Sequence, residues 1–174
     1  MKQAFTLWCL LMLTPIVLPA RAEVIHGVVI AVIDGDTVLF RPDPYHPSRR
    51  AFLKVRLADI DAPENDQPYG NLAARALTAR VLHRQVVIDT VATDIYGRTI
   101  AHVRRDEHEI GAEMVQDGFA WAAARSRRAR ELAEAQRRAR SSGRGLWQDA
   151  APVPPWVWRR AHPARTLRAV AADA

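Results

Sequence analysis

The stretch "AVIDGDTVLF" (residues 31–40) places two carboxylates, Asp34 and Asp36, on either side of Gly35. The rest of the stretch is apolar enough to form a buried β-strand. Aspartate and glycine are both poor strand residues, and an unpaired buried carboxylate costs free energy. We therefore interpret the stretch as two strands joined at an acidic corner, where another group must hold the carboxylates.

The flanking sequence extends this pattern of strands and adds helices. Runs rich in β-branched residues predict five strands, at 24–33, 37–40, 51–60, 85–93 and 98–105. Asp and Gly within residues 94–97 predict a hairpin turn. Apolar spacing predicts helices at 70–84, 110–118 and 127–143, the last two ending at glycine. Five strands with helices inserted and appended predict an α+β fold, a small closed β-barrel with helices around it.

A second acidic cluster follows the third predicted strand in "VRLADIDAPEN" (residues 55–65). It contains Asp59, Asp61 and Glu64, with Arg56 just upstream. If the second and third strands are neighbours, this cluster converges on the corner at Asp36. Hard divalent cations prefer several oxygen ligands, so Asp36 and Asp61 together predict a Ca²⁺ or Mg²⁺ site.

Other motifs that could explain these residues do not fit. An EF-hand loop that begins at Asp34 needs glutamate at its twelfth position, which is Tyr45. A zinc-protease helix needs a second histidine where "HEIGA" has Ala112. The metal-binding Asp-x-Asp of a sugar-nucleotide transferase stays open, although the chain is short for its nucleotide-binding domain.

The N-terminal 22 residues are typical of a secretory signal peptide. Lys2 provides the positive start, residues 3–20 carry no charge, and residues 20–22 form a small-x-small cleavage site. An uncleaved membrane anchor is the alternative, since 18 uncharged residues reach the lower limit for a spanning helix. We expect an exported protein, periplasmic or secreted, that has no membrane contact after cleavage.

The remaining chain is predicted to form one domain at 23–150 and a tail rich in Pro, Trp and Arg at 151–174. Trp156 and Trp158 are candidates for docking the tail on the body. Removal of residues 1–22 lowers the formal net charge from +6 to +4 and removes the single cysteine, Cys9. A basic exported domain suits an anionic partner such as nucleic acid or phospholipid. We expect a monomer.

Four segments, in order and at their intervals, resemble the thermonuclease, or staphylococcal-nuclease-like, family. They are "VIDGDTVLF" (32–40), "VRLADIDAPEN" (55–65), "YGNLAA" (69–74) and "TDIYGRTIAHV" (93–103), and the similarity runs from about residue 27 to residue 147. The resemblance implies a five-stranded OB-fold barrel with three helices. It also implies a calcium-dependent nuclease acting on DNA and/or RNA.

The resemblance implies a role for each matching residue. The metal ligands are Asp36, Asp61 and the backbone carbonyl of Ala62, with Mg²⁺ left open as a substitute for Ca²⁺. Glu64 is the general base that takes a proton from water, while Arg56 and Arg98 hold the scissile phosphate. Asp34 acts near the metal mostly through water, and Tyr96 lines the phosphate pocket.

Departures from the family pattern keep a second function open. Only four residues separate Glu64 from Tyr69, where the best-known members carry a longer basic loop. The stretch "FAWAAARSRR" (119–128) has no tyrosine to stack on a base, and we expect Trp121 to pack in the core. The alternative is a non-catalytic OB-fold module that binds single-stranded nucleic acid. No catalytic side chain is missing, which favours the nuclease.

Overall fold

The computed structural model describes residues 23–43, 51–123 and 128–163. Within these residues the strands are β1 (Val24–Val32), β2 (Thr37–Pro42), β3 (Leu53–Leu57), β4 (Ile60–Asp61), β5 (Gln85–Thr93), β6 (Thr99–Arg105), β7 (His108–Glu109) and β8 (Trp121–Ala122). The helices are α1 (Gly70–Val81), α2 (Ile110–Gln116), α3 (Ala129–Ser141) and α4 (Pro155–Ala161), with a 3₁₀ helix at Gly145–Gln148. The predicted signal peptide and most of the proline-rich stretch 41–50 lie outside the described residues.

Five of the strands close into a barrel. β1 pairs antiparallel with β2 and β5, β2 pairs with β3, and β5 pairs with β6. A parallel pairing of β3 with β6, from Val55 opposite Thr99 to Leu57 opposite Ala101, closes the ring. The predicted five-stranded OB-fold barrel is confirmed.

Alternating side chains fill the barrel. On β3, Leu53, Val55 and Leu57 are buried, while Lys54 is exposed and Arg56 is partly exposed. Successive side chains of a strand point to opposite faces, so β3 packs three residues in the core and directs Arg56 outward. The strand that closes the barrel thus also carries Arg56, a candidate site residue, on its outer face.

The three predicted helices form where apolar spacing placed them. α1 buries Ala73, Leu77 and Val81, four residues apart, so one side of the helix covers the barrel. α2 ends just before Gly118, whose φ of +75° favours glycine. α3 buries a stripe that includes Leu132 and exposes its arginines.

The tail contains a fourth helix, α4, which the sequence did not predict. Proline stands at its first position, where the missing amide hydrogen is not needed. The ring of Trp156 lies 5.5 Å from that of Trp121, which also contacts Trp147 at 4.4 Å. The expected docking by Trp156 is therefore present, and Trp121 is a packing residue. Among the described residues, no helix is long and apolar enough to cross a membrane.

Candidate active site

The acidic corner between β1 and β2 is a tight turn packed against neighbouring segments. Asp34 Oδ1 accepts a hydrogen bond from the Asp36 amide at 2.9 Å. A Cβ atom at Gly35 would lie 2.6 Å from the Cβ of Ala73 and 2.7 Å from that of Ala62. Glycine therefore lets the corner approach both α1 and the second acidic segment.

The Asp36 carboxylate is buried beneath this corner. Oδ1 accepts a hydrogen bond from the Thr37 hydroxyl at 2.9 Å, and Oδ2 accepts one from the Ala62 amide at 3.0 Å. The pKa of Asp36 is raised to about 6, mainly by burial; Arg56 opposes this rise, and the negative charge of Asp34 adds to it. Burial therefore disfavours the charged form of Asp36, although Arg56 is close by.

Arg56 joins the two acidic segments. It pairs with Thr37 in the β2–β3 ladder, and Thr37 follows Asp36 in the chain. Its Nη2 donates to Asp61 Oδ1 at 2.8 Å and lies 3.1 Å from Asp36 Oδ2. Its Nη1 donates to the carbonyl of Ile60 at 3.2 Å. The predicted convergence of the Asp36 corner on the second acidic segment is present in the structure.

Most of the sequence-predicted site residues line one open cleft of about 720 Å³. Seven of the eight are Asp34, Asp36, Arg56, Ala62, Glu64, Tyr96 and Arg98. The eighth, Asp61, is only 9% exposed and adjoins this lining through its bonds to Arg56 and Arg159. Residues far apart in sequence are thus brought to one surface.

The β5–β6 hairpin turn directs Arg98 into the cleft. Asp94 Oδ2 accepts a hydrogen bond from Arg98 Nε at 2.7 Å, and Asp94 Oδ1 accepts one from each of the Tyr96 and Arg98 amides at 2.9 Å. The guanidinium lies 5.6 Å from the centre of the Tyr96 ring, which is 77% exposed. Asp94 was interpreted only as a turn residue, but it also fixes Arg98.

Glu64 lies in the loop between β4 and α1. Its amide donates to Gln67 Oε1 at 3.2 Å, which shapes the loop. Its carboxylate oxygen Oε1 lies 2.6 Å from Nη1 of Arg159, a residue of α4. The candidate general base is therefore in an ion pair.

Arg159 is a site residue that the sequence analysis missed. Its Nη1 donates to Asp61 Oδ1 at 3.1 Å, and its Nη2 donates to Asp61 Oδ2 at 2.7 Å. The hydrogen bond to Asp61 is the main cause of a raised pKa for Arg159, so the guanidinium stays charged. The tail shows no periodic pattern, and only the nearby docking candidates Trp156 and Trp158 indicated contact with the body.

Comparison with known proteins decides the family. A family model described as staphylococcal nuclease homologue matches residues 54–149, which is more than half of the chain. The chain belongs to this family. The matched range includes Arg56, Asp61, Glu64 and Arg98, but it ends before α4 and Arg159.

Three relatives match about four-fifths of the chain. Protein ParB of Escherichia coli is 39% identical over 153 residues, covering 82% of each chain. An uncharacterized endonuclease of Escherichia coli O157:H7 is 37% identical over 142 residues, covering 81% of this chain and 89% of the relative. Micrococcal nuclease of Shigella flexneri is 34% identical over 154 residues, covering 82% and 84%.

The residues of the site fit a hard divalent cation. Asp36 and Asp61 each approach the same nitrogen of Arg56, so the two carboxylates are adjacent. Both offer oxygen, the donor that Ca²⁺ and Mg²⁺ prefer, and a bound cation would favour the charged form of Asp36, which burial disfavours. In the described ranges no three His, Cys, Asp or Glu side chains are grouped to hold a metal. A cation held by these two carboxylates would take its other ligands from carbonyl, water or substrate oxygens.

Proposed function

We propose that this staphylococcal nuclease homologue is an exported, calcium-dependent nuclease that hydrolyses phosphodiester bonds of DNA and/or RNA. The observation that carries the proposal is the convergence of two acidic segments and two arginines on one cleft. The relatives named endonuclease and micrococcal nuclease support the same reaction class.

Arg56 and Arg98 are the proposed phosphate-binding residues. Attack on a phosphodiester adds negative charge to oxygens that already carry it, so fixed cations stabilise the transition state more than the ground state. Each guanidinium is already held, Arg56 by Asp61 and Arg98 by Asp94, so little side-chain entropy is lost on binding. Lysine lacks the planar fork that matches two phosphate oxygens.

Glu64 is the proposed general base. Its carboxylate accepts a proton from the attacking water as the water oxygen bonds to phosphorus and the ester oxygen leaves. A positioned base contributes roughly 10²- to 10⁴-fold to such a reaction. Glu64 lines the cleft together with both arginines, which supports a base and phosphate contacts that act on one substrate.

Asp36 and Asp61, with the carbonyl of Ala62, would hold Ca²⁺. When bound, the ion supplies positive charge that stabilises the charge added to the phosphate. Asp34 shapes the corner through its bond to the Asp36 amide and lines the cleft, where water can join it to the site. Tyr96 borders the same cleft beside Arg98.

A cleavage assay tests the proposal. The protein, purified after expression of the full chain, is incubated with labelled DNA and RNA in Ca²⁺, in Mg²⁺ or in chelator. We expect cleavage in Ca²⁺ and none in chelator, with activity abolished in Glu64→Gln. Glu107→Gln is the matched control, because Glu107 is exposed on the turn between β6 and β7.

Two results would contradict the nuclease proposal. One is equal cleavage with and without divalent cation, and the other is absence of cleavage in Ca²⁺. Binding of single strands without cleavage by the wild-type protein would support the alternative, a non-catalytic OB-fold module.

Export has its own test. Mass spectrometry of the protein purified from an exporting host should give an N-terminus at Glu23. An N-terminus at Met1 would support the membrane-anchor alternative.

A further inference from the structure

Arg159 forms hydrogen bonds with Asp61, the carboxylate that is proposed to bind the cation. Its two terminal nitrogens bond to the two oxygens of Asp61, at 3.1 and 2.7 Å. Arg56 also donates to Asp61 Oδ1, at 2.8 Å. Both oxygens of the proposed metal ligand are therefore engaged by guanidinium groups.

The same side chain also forms an ion pair with Glu64, since Nη1 of Arg159 lies 2.6 Å from Oε1 of Glu64. This contact engages one oxygen of the carboxylate that would accept the proton from water. In this arrangement one residue of α4 covers both the proposed ligand Asp61 and the proposed base.

Apart from the bonds of Arg159 and the contact of Trp156 with Trp121, α4 has few anchors on the body. It is also attached by a hydrogen bond from Gln67 Nε2 to the Val153 carbonyl, at 2.6 Å, and by one from the Trp158 indole to Asp66, at 3.3 Å. Of the seven residues of α4 only Pro155 is buried, and Trp156 is 40% exposed. Segments with few buried contacts open at a small free-energy cost.

A guanidinium and a divalent cation cannot share Asp61 without cost. They repel each other, and each needs the carboxylate oxygens at contact distance. By linkage, whatever Arg159 contributes to the docking of α4 is subtracted from the affinity for the cation.

We propose that Arg159 competes with the divalent cation for Asp61, and so sets the cation affinity of the site. Cation binding releases Arg159 from Asp61 and, with it, from Glu64. This inference rests on the proposed function and deepens it. The family model matches residues 54–149, so Arg159 lies outside the matched range.

Calorimetric titration with Ca²⁺ in the absence of nucleic acid tests the inference. Wild type, Arg159→Gln and Arg160→Gln are compared as full chains. Arg160 is the matched control, since it is on the same helix and its Nε donates to the Trp156 carbonyl, away from the carboxylates. We expect about tenfold tighter binding in Arg159→Gln, equivalent to about 1.4 kcal/mol, and no change in Arg160→Gln.

Tryptophan fluorescence provides a second measurement. Ca²⁺ should change the emission of the wild type, because release of α4 separates Trp156 from Trp121. The change should be smaller in Arg159→Gln, where the helix has already lost its bonds to the carboxylates.

Unchanged or weaker Ca²⁺ binding in Arg159→Gln would overturn the competition. If wild type still binds Ca²⁺ and cleaves nucleic acid in that case, the proposed function stands without it. If no variant binds Ca²⁺, the competition and the calcium dependence both fall, and the cleavage assay alone decides whether the protein is a nuclease.

Discussion

Replacement of Asp36 by asparagine should remove a pH dependence of stability that this buried carboxyl imposes. Asp36 is only 6% exposed, and its pKa rises from 3.8 to about 6 in the folded protein, mainly because of burial. A raised carboxyl pKa means that the fold favours the protonated form. The stabilising contribution is complete below pH 3.8 and is lost as pH rises through about 6.

The size of the effect follows from the shift in pKa. One pKa unit corresponds to about 1.4 kcal/mol, so a shift of roughly two units costs on the order of 3 kcal/mol at neutral pH without cation. The side-chain amide introduced by Asp36→Asn would keep the acceptor for the Thr37 hydroxyl but turn its nitrogen toward the Ala62 amide and Arg56. That mismatch costs about 1–3 kcal/mol at every pH. The titration of Asp36 is therefore measured by how the difference in unfolding free energy between wild type and variant changes with pH, not by the size of that difference at one pH.

Urea unfolding from pH 4 to pH 7 in chelator measures this change with pH. Relative to Asp36→Asn, the unfolding free energy of the wild type should fall by about 2–2.5 kcal/mol over the range. Asp106→Asn, at an exposed turn residue, should follow the wild type. A wild-type-minus-variant difference that is constant or rises with pH would refute the reasoning.

Three further substitutions test how the site is built. Arg56→Lys keeps the charge but loses the fork, so kcat/KM in the cleavage assay should fall by about 10²- to 10³-fold; a loss under threefold would contradict its role. Asp94→Asn should loosen Arg98 and lower kcat while Ca²⁺ binding, measured by calorimetry, stays at the wild-type value. Gly35→Ala should cost about 1–3 kcal/mol in denaturant unfolding, since the new methyl group meets Ala73; unchanged stability would show that the corner can relax.

Much of the fold could be predicted from the sequence because its strands and helices obey simple periods. The β-branched runs indicated the five barrel strands, and the spacing of Ala73, Leu77 and Val81 indicated the first helix. Barrel closure is different, because the parallel pairing of Val55 with Thr99 joins residues that no local pattern connects. The number of strands predicted a closed barrel, but it did not show which two strands close it.

Part of the candidate site could be predicted from the sequence because some of its residues are unfavourable in their local secondary structure. Asp36 is conspicuous as a carboxylate at the start of a buried strand, and Arg56 and Asp61 flank the next corner. Arg159 was missed because it reaches Glu64 across 95 residues of sequence from a proline-rich segment. Asp94 was interpreted only as a turn former because the same residue serves the turn and the arginine.

The central claim is that the two acidic segments meet around one cation beside Arg56. Anomalous diffraction from crystals grown with Ca²⁺ measures this directly. We predict one peak about 2.3–2.6 Å from oxygens of both Asp36 and Asp61. A cation bound elsewhere, or no peak between these carboxylates at saturating Ca²⁺, would contradict the account.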